Sequence, residues 1–172
     1  AYALEKGVNW FDTAATYGAG LSEKNLGRVL NELSASEKVH VATKVRLSVE
    51  DLSDIRGAVI ESLENSLHRL QLSRVTLLQL HNSITPRRGD EPTSITPLDV
   101  LGEGGVLDAL EELQRRGLVA HVGLTGIGDP TSLNQVIHSG RFETMQVPYH
   151  LLNPSAGMAV PQEFPETNYG NI

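Results

Sequence analysis

The chain contains no cysteine, which excludes disulfide frameworks and thiolate metal sites and fits a reducing compartment, read here as cytoplasmic. It is also poor in positive charge: 14 Lys and Arg against 21 Asp and Glu leave a formal net charge of −7. General nucleic-acid binding is disfavoured, because affinity for phosphate backbones comes from Lys and Arg. The sign says little about small anionic ligands, which need only a local positive pocket. No apolar run approaches the roughly 18 residues of a membrane span. The opening residues Ala1-Tyr2-Ala3-Leu4-Glu5-Lys6-Gly7 carry no signal-peptide pattern. No grouping of His, Asp and Glu has metal-ligand spacing. The dinucleotide-binding fingerprint Gly-x-Gly-x-x-Gly is absent too, since Tyr17-Gly18-Ala19-Gly20 lacks its third glycine.

What is present is enough for one domain. At 172 residues, with 40% hydrophobic and 20% charged content, the chain can bury a substantial core. Its apolar segments alternate between strand and helix patterns. Strands are expected over 8–12, 39–45, 75–81, 119–125 and 144–149. Helices are expected from Ser22 (a plausible N-cap) through Leu33, over 54–70, over 106–116 ending at Gly117, and from Asp129-Pro130 to Gly140. Residues 1–7 read as the last turns of a helix capped by Gly7, which implies a preceding segment. Residues 82–105, rich in Pro, Gly and Thr, form a long loop expected to cover a substrate mouth. Five strands alternating with four helices make repeated βαβ units and a parallel sheet. Between an open doubly wound sheet and a barrel, polar residues at several strand ends favour the barrel. The fold class is therefore α/β: a partial (β/α)8 TIM barrel, with about five of eight units in residues 1–172, the first and the last two missing. Open strand edges predict aggregation or dimerisation of the isolated chain.

Four of those polar residues decide the chemistry. Asp12 closes Val8-Asn9-Trp10-Phe11-Asp12, Tyr17 follows in the next turn, Lys44 lies near the end of Val39-His40-Val41-Ala42-Thr43-Lys44-Val45, and His81 ends Val75-Thr76-Leu77-Leu78-Gln79-Leu80-His81. On successive parallel strands all four gather at one rim. A phenol alone is a poor acid or base at neutral pH, and a neighbouring ammonium makes its proton transfer easier. Lys44 supplies that charge, Asp12 holds Lys44, and His81 hydrogen-bonds and polarises a carbonyl oxygen. The set suits protonation of an alkoxide as hydride reaches a carbonyl carbon, or the reverse. Each residue also has a bland role: a strand-end cap for Asp12, a turn aromatic for Tyr17, a satisfied histidine for His81. Buried Lys44 is the hardest to dismiss. Among the other histidines, His40, His68 and His138 read as structural or solvated, and His121 falls at the opposite rim. His150 lies near the active rim.

The stretch from Gly7 to Gly18, followed by Ser22-Glu23-Lys24-Asn25-Leu26-Gly27, resembles the aldo-keto reductase signature G-x-x-x-x-D-T-A-x-x-Y-G…S-E-x-x-L-G. Thr43-Lys44 and Leu80-His81 are similar to the lysine and histidine motifs of that family. The resemblance implies Tyr17 as general acid/base, Lys44 and Asp12 as its tuners, and His81 as substrate orienter. It also implies NADP or NAD at the C-terminal rim, with Asp12, Asn82, Thr125 and Gln146 as candidate cofactor contacts and a small carbonyl or sugar substrate. The family's Ser-Asn pair after strand five is replaced by Thr125-Gly126, a pattern similar to the sugar-dehydrogenase branch. Family contacts to the pyrophosphate and adenosine fall after the last strand of this chain, so the fragment is expected to bind the dinucleotide poorly. The competing readings are a non-catalytic regulatory subunit of the same fold and a barrel isomerase, which would call for a metal or paired carboxylates.

Overall fold

The computed structural model describes residues 1–171. Six helices lie along them: α1 (Tyr2–Glu5), α2 (Leu21–Glu32), α3 (Ile55–Leu70), α4 (Pro97–Leu101), α5 (Val106–Arg115) and α6 (Pro130–Ile137). Five strands, β1 (Trp10–Asp12), β2 (His40–Val45), β3 (Val75–Leu80), β4 (Val119–Thr125) and β5 (Thr144–Gln146), form one sheet. The strands lie in chain order and every neighbouring pair is parallel. A doubly wound sheet reverses its order at a switch point; this one winds in a single direction and curls as part of a (β/α)8 barrel.

Register separates the two faces. Thr43 pairs with Leu78, Val45 with Leu80, Leu78 with Val122 and Leu80 with Leu124. These side chains share the face that packs against Val59, Leu63 and Leu70 of α3, Leu110 and Leu113 of α5, and Leu133 and Val136 of α6. The other face carries Asp12, Lys44, Gln79, Gly123 and Gln146, because residues two apart on a strand point the same way. The apolar core thus lies between sheet and helices, and the inner face is left for polar groups.

Local chemistry sets most element ends. Asp54 caps α3 by accepting from the Gly57 amide at 2.9 Å, and Asp129 caps α6 by accepting from the Ser132 amide at 2.8 Å with Pro130 in the first turn. Two expectations shift. Ser22 does not cap α2: the cap is Gly20, in the left-handed region at φ 86°, and Ser22 lies inside the first turn. The last strand stops at Gln146 because Pro148 has no amide for the ladder and restrains Val147. Residues 82–105 are also less open than their composition predicts. Ile84 bridges to both Ile95 and Gly128, and α4 begins with a reciprocal cap between Thr96 and Asp99. Gly128, at φ 125°, is required there, since a Cβ would lie 2.2 Å from the Ile84 carbonyl oxygen. Burial pushes the Asp99 carboxyl up, but the Arg88 guanidinium and the Thr96 amide and hydroxyl outweigh it and hold the carboxyl below its ordinary range. That ion pair pins the connection to α4.

Candidate active site

At the C-terminal ends of β1, β2 and β3 the inner face turns charged. Asp12 ends β1, Lys44 stands one residue before the end of β2, and His81 follows β3 directly. Tyr17 sits in the turn between β1 and α2, its amide bonded to the Ala14 carbonyl at 3.1 Å. Lys44 is 2% exposed, so its ammonium must be fully partnered. It donates to the Asp12 carboxylate, to the Thr13 carbonyl at 2.9 Å and to the Tyr17 hydroxyl at 3.5 Å. The Tyr17 ring meets the His81 ring edge-on, with centroids 6.0 Å apart at 80°. All four expected residues are brought together, with Tyr17 exposed to the rim.

Half-burial pushes the His81 imidazole below its ordinary range, and the cations Lys44 and Arg46 add to that against the opposing pull of Asp12. The shift favours the neutral ring over the imidazolium. Its Nδ1 is buried without a partner, which leaves Nε2 to meet a ligand oxygen at the rim. Gln79, two residues earlier on the same face, also has a buried and unpartnered oxygen, Oε1.

The expected cofactor contacts separate into two kinds. Gln146 is exposed at the end of β5, opposite Thr125 in the register, and the Asp12 side chain is a third exposed. Both reach the rim. Thr125 donates its hydroxyl to the Leu80 carbonyl at 3.2 Å. The fully buried Asn82 accepts from the Leu47 amide at 2.8 Å and donates to the carbonyls of Leu47 at 2.9 Å and Thr93 at 2.6 Å. Its amide is spent on backbone, so it latches the loop after β3 to the end of β2. His150 is exposed, and its backbone pairs with Asn153.

The residues the family model matches run from 1 to 163 and carry the description "Aldo/keto reductase family". The chain belongs to that family. It is 28% identical over 153 residues to aldo-keto reductase YhdN of Bacillus subtilis, covering 87% of this chain and 42% of that protein. It is 34% identical over 126 residues to L-galactose dehydrogenase of Arabidopsis thaliana, covering 73% of this chain and 36% of that protein. A Klebsiella pneumoniae aldo-keto reductase solved in complex with NADPH superposes with a TM-score of 0.68 at 25% identity, covering 90% of this chain and 48% of that one. The chain therefore spans less than half the length of these relatives.

In this member of the family the first turn of α2 braces the lysine from behind. Ser22 Oγ lies 2.8 Å from Thr13 Oγ1, in the residue whose carbonyl accepts from Lys44. Glu23 is wholly buried and accepts from the Thr43 hydroxyl at 2.5 Å and from Arg69 Nε at 2.7 Å. Gly27 lets α2 touch α3, since a Cβ there would lie 2.3 Å from the Leu70 carbonyl oxygen. Sequence reasoning missed these residues as part of the site. The available signal was an acidic residue at the second position of the Ser22–Gly27 motif, with nothing in the local pattern to show that it was buried.

Proposed function

We propose that the protein is a carbonyl–alcohol oxidoreductase using NADP or NAD, acting on a small aldehyde, ketone or aldose. The observation that supports this most directly is the Asp12–Lys44–Tyr17 chain: a buried ammonium held by a carboxylate and a carbonyl, in contact with an exposed phenol. The donor set suits a nicotinamide end at the rim. Asp12 and Gln146 are open to it, Thr125 keeps free lone pairs, and Asn82 acts by holding the loop beside it.

The bound nicotinamide supplies or takes the hydride. The chain's own residues handle the proton and the geometry. Tyr17 gives a proton to the substrate oxygen in reduction and takes it back in oxidation. Lys44 stabilises the phenolate left behind, and Asp12 keeps that ammonium charged and oriented. Neutral His81 places its Nε2 toward the same oxygen and fixes the carbonyl for attack. L-galactose dehydrogenase among the relatives, together with Thr125-Gly126 at the end of β4, supports an aldose as one substrate class.

The test is Tyr17→Phe in the protein expressed from its complete gene, assayed with NADPH and NADH. Turnover should fall by roughly a hundredfold to ten-thousandfold, the range of a lost general acid, with cofactor affinity unchanged. A variant that keeps wild-type turnover would refute the assignment.

A further inference from the structure

The register of β2 and β3 continues one step past the last named pair. Val45 pairs with Leu80, and the ladder runs on through the His81 amide, which donates to the Val45 carbonyl at 2.8 Å. The next step sets Arg46 opposite His81. Arg46 lies just past the end of β2, two residues beyond Lys44, where strand alternation carried one step further sets it toward the inner side. It is exposed, and among the described residues no carboxylate pairs with it. Lys44, by contrast, is neutralised by Asp12.

The arginine is held in place. Its Nε donates to Thr93 Oγ1 at 2.9 Å. The Thr93 carbonyl is in turn gripped by Asn82 at 2.6 Å, and Asn82 is locked to both backbone groups of Leu47. Thus the fully buried residue directly after His81 fixes the residue that anchors Arg46. With Nε occupied, the two terminal nitrogens remain as a planar fork at the strand end that carries His81. In a chain of net charge −7, this makes a local positive rim, and the charge of Arg46 is also felt by His81.

We propose that Arg46 is a specificity residue that selects carbonyl substrates bearing an anionic oxygen group, carboxylate or phosphate, a few bonds from the reacting carbon. A guanidinium fork matches both groups bidentately and is the usual choice for planar anion recognition. The proposal rests on the oxidoreductase reading above.

The experiment uses two matched pairs: 4-carboxybenzaldehyde with its methyl ester, and glyceraldehyde 3-phosphate with glyceraldehyde. In the protein expressed from its complete gene, kcat/KM is expected to favour the anionic member of at least one pair, and which pair responds separates carboxylate from phosphate. Arg46→Met should lower that preference roughly tenfold to a hundredfold, as for loss of one charge-assisted hydrogen-bonding group. Arg46→Lys should restore part of it, and Thr93→Val, which frees Nε, should fall between. Turnover of neutral aldehydes without any anionic preference, or a preference untouched by Arg46→Met, overturns the proposal and leaves the oxidoreductase reading standing. Weakening of NADPH binding by Arg46→Met as large as the substrate effect also overturns it, because the guanidinium would then serve the dinucleotide. No turnover of any of the four aldehydes overturns the oxidoreductase reading and this proposal with it.

Discussion

The ion pair at the centre of the site is unequal, and that inequality gives a sharp test. The Lys44 side chain is 1% exposed and the Asp12 side chain 33%. Removing the carboxylate charge with Asp12→Asn leaves an ammonium that water cannot reach, with the Thr13 carbonyl and a Tyr17 hydroxyl at 3.5 Å as its other partners. Breaking a buried pair in this way costs about 3–5 kcal/mol. The retained amide oxygen can still accept from Lys44, so the lower end, about 3 kcal/mol, is expected. Lys44→Met is milder. The methionine fills much of the same apolar channel, and a carboxylate one-third exposed recovers water, so about 1–2 kcal/mol is expected. In the double variant neither charge remains, and its cost should be no larger than that of Lys44→Met alone. The two sites would then couple by about 3 kcal/mol. Urea unfolding of the four proteins, with m-values compared to confirm that the same transition is followed, measures all of these. If Asp12→Asn proved cheaper than Lys44→Met, or the two costs simply added to within about 0.5 kcal/mol, the pair would not be carrying a buried charge and the account of the site would fail.

Glu23→Gln keeps the shape of the buried side chain but removes the partner charge of Arg69, whose side chain is only 21% exposed. A loss of about 2–3 kcal/mol is expected, partly recovered by adding Arg69→Met, and urea unfolding that shows less than about 0.5 kcal/mol would contradict a bracing role. His81 should make stability pH-dependent with a definite sign. Its folded-state affinity for a proton is lowered by burial and by Lys44 and Arg46, so the unfolded chain binds that proton first. Stability is therefore expected to fall as pH drops below about 6.5 and on through the lower folded midpoint. His81→Gln should flatten that part of a urea-midpoint series across pH, and an unchanged slope would locate the effect elsewhere.

Much of the fold was legible because the periodicities are strong. The nearly continuous apolar run of β3 and the Asp caps of α3 and α6 follow directly from residue chemistry. Asp12, Tyr17, Lys44 and His81 were legible for a topological reason: parallel strands deliver their C-terminal ends to one rim, so four polar residues at such ends must meet. What the sequence hid depends on contacts between distant segments. Asn82 looked like a cofactor contact by adjacency to His81, yet the loop returns Thr93, 11 positions further on, to its amide. Ser22 looked like a cap by composition, yet Gly20, in the left-handed region, takes the cap and frees the hydroxyl for Thr13. The bond that anchors Arg46 to Thr93, 47 positions away, is of the same kind.

The motif Ser22-Glu23-Lys24-Asn25-Leu26-Gly27 shows why a segment that supplies no group to the candidate site can still mark it. Three of its residues fix α2 against three neighbours: Ser22 against the loop after β1, Glu23 against β2 and α3, and Gly27 again against the end of α3. Three contacts in three directions leave a rigid helix little freedom to shift. Lys44 is the residue enclosed by them, bonded to Thr13 on one side and covalently next to Thr43 on the other. An ammonium that must stay within reach of a phenol while shielded from water needs a position set to a fraction of an ångström. The strand ladder alone does not supply that, because it fixes the backbone of Lys44 and not the reach of its side chain. The helix supplies what the sheet cannot, and the spacing of the motif follows from where those three neighbours stand.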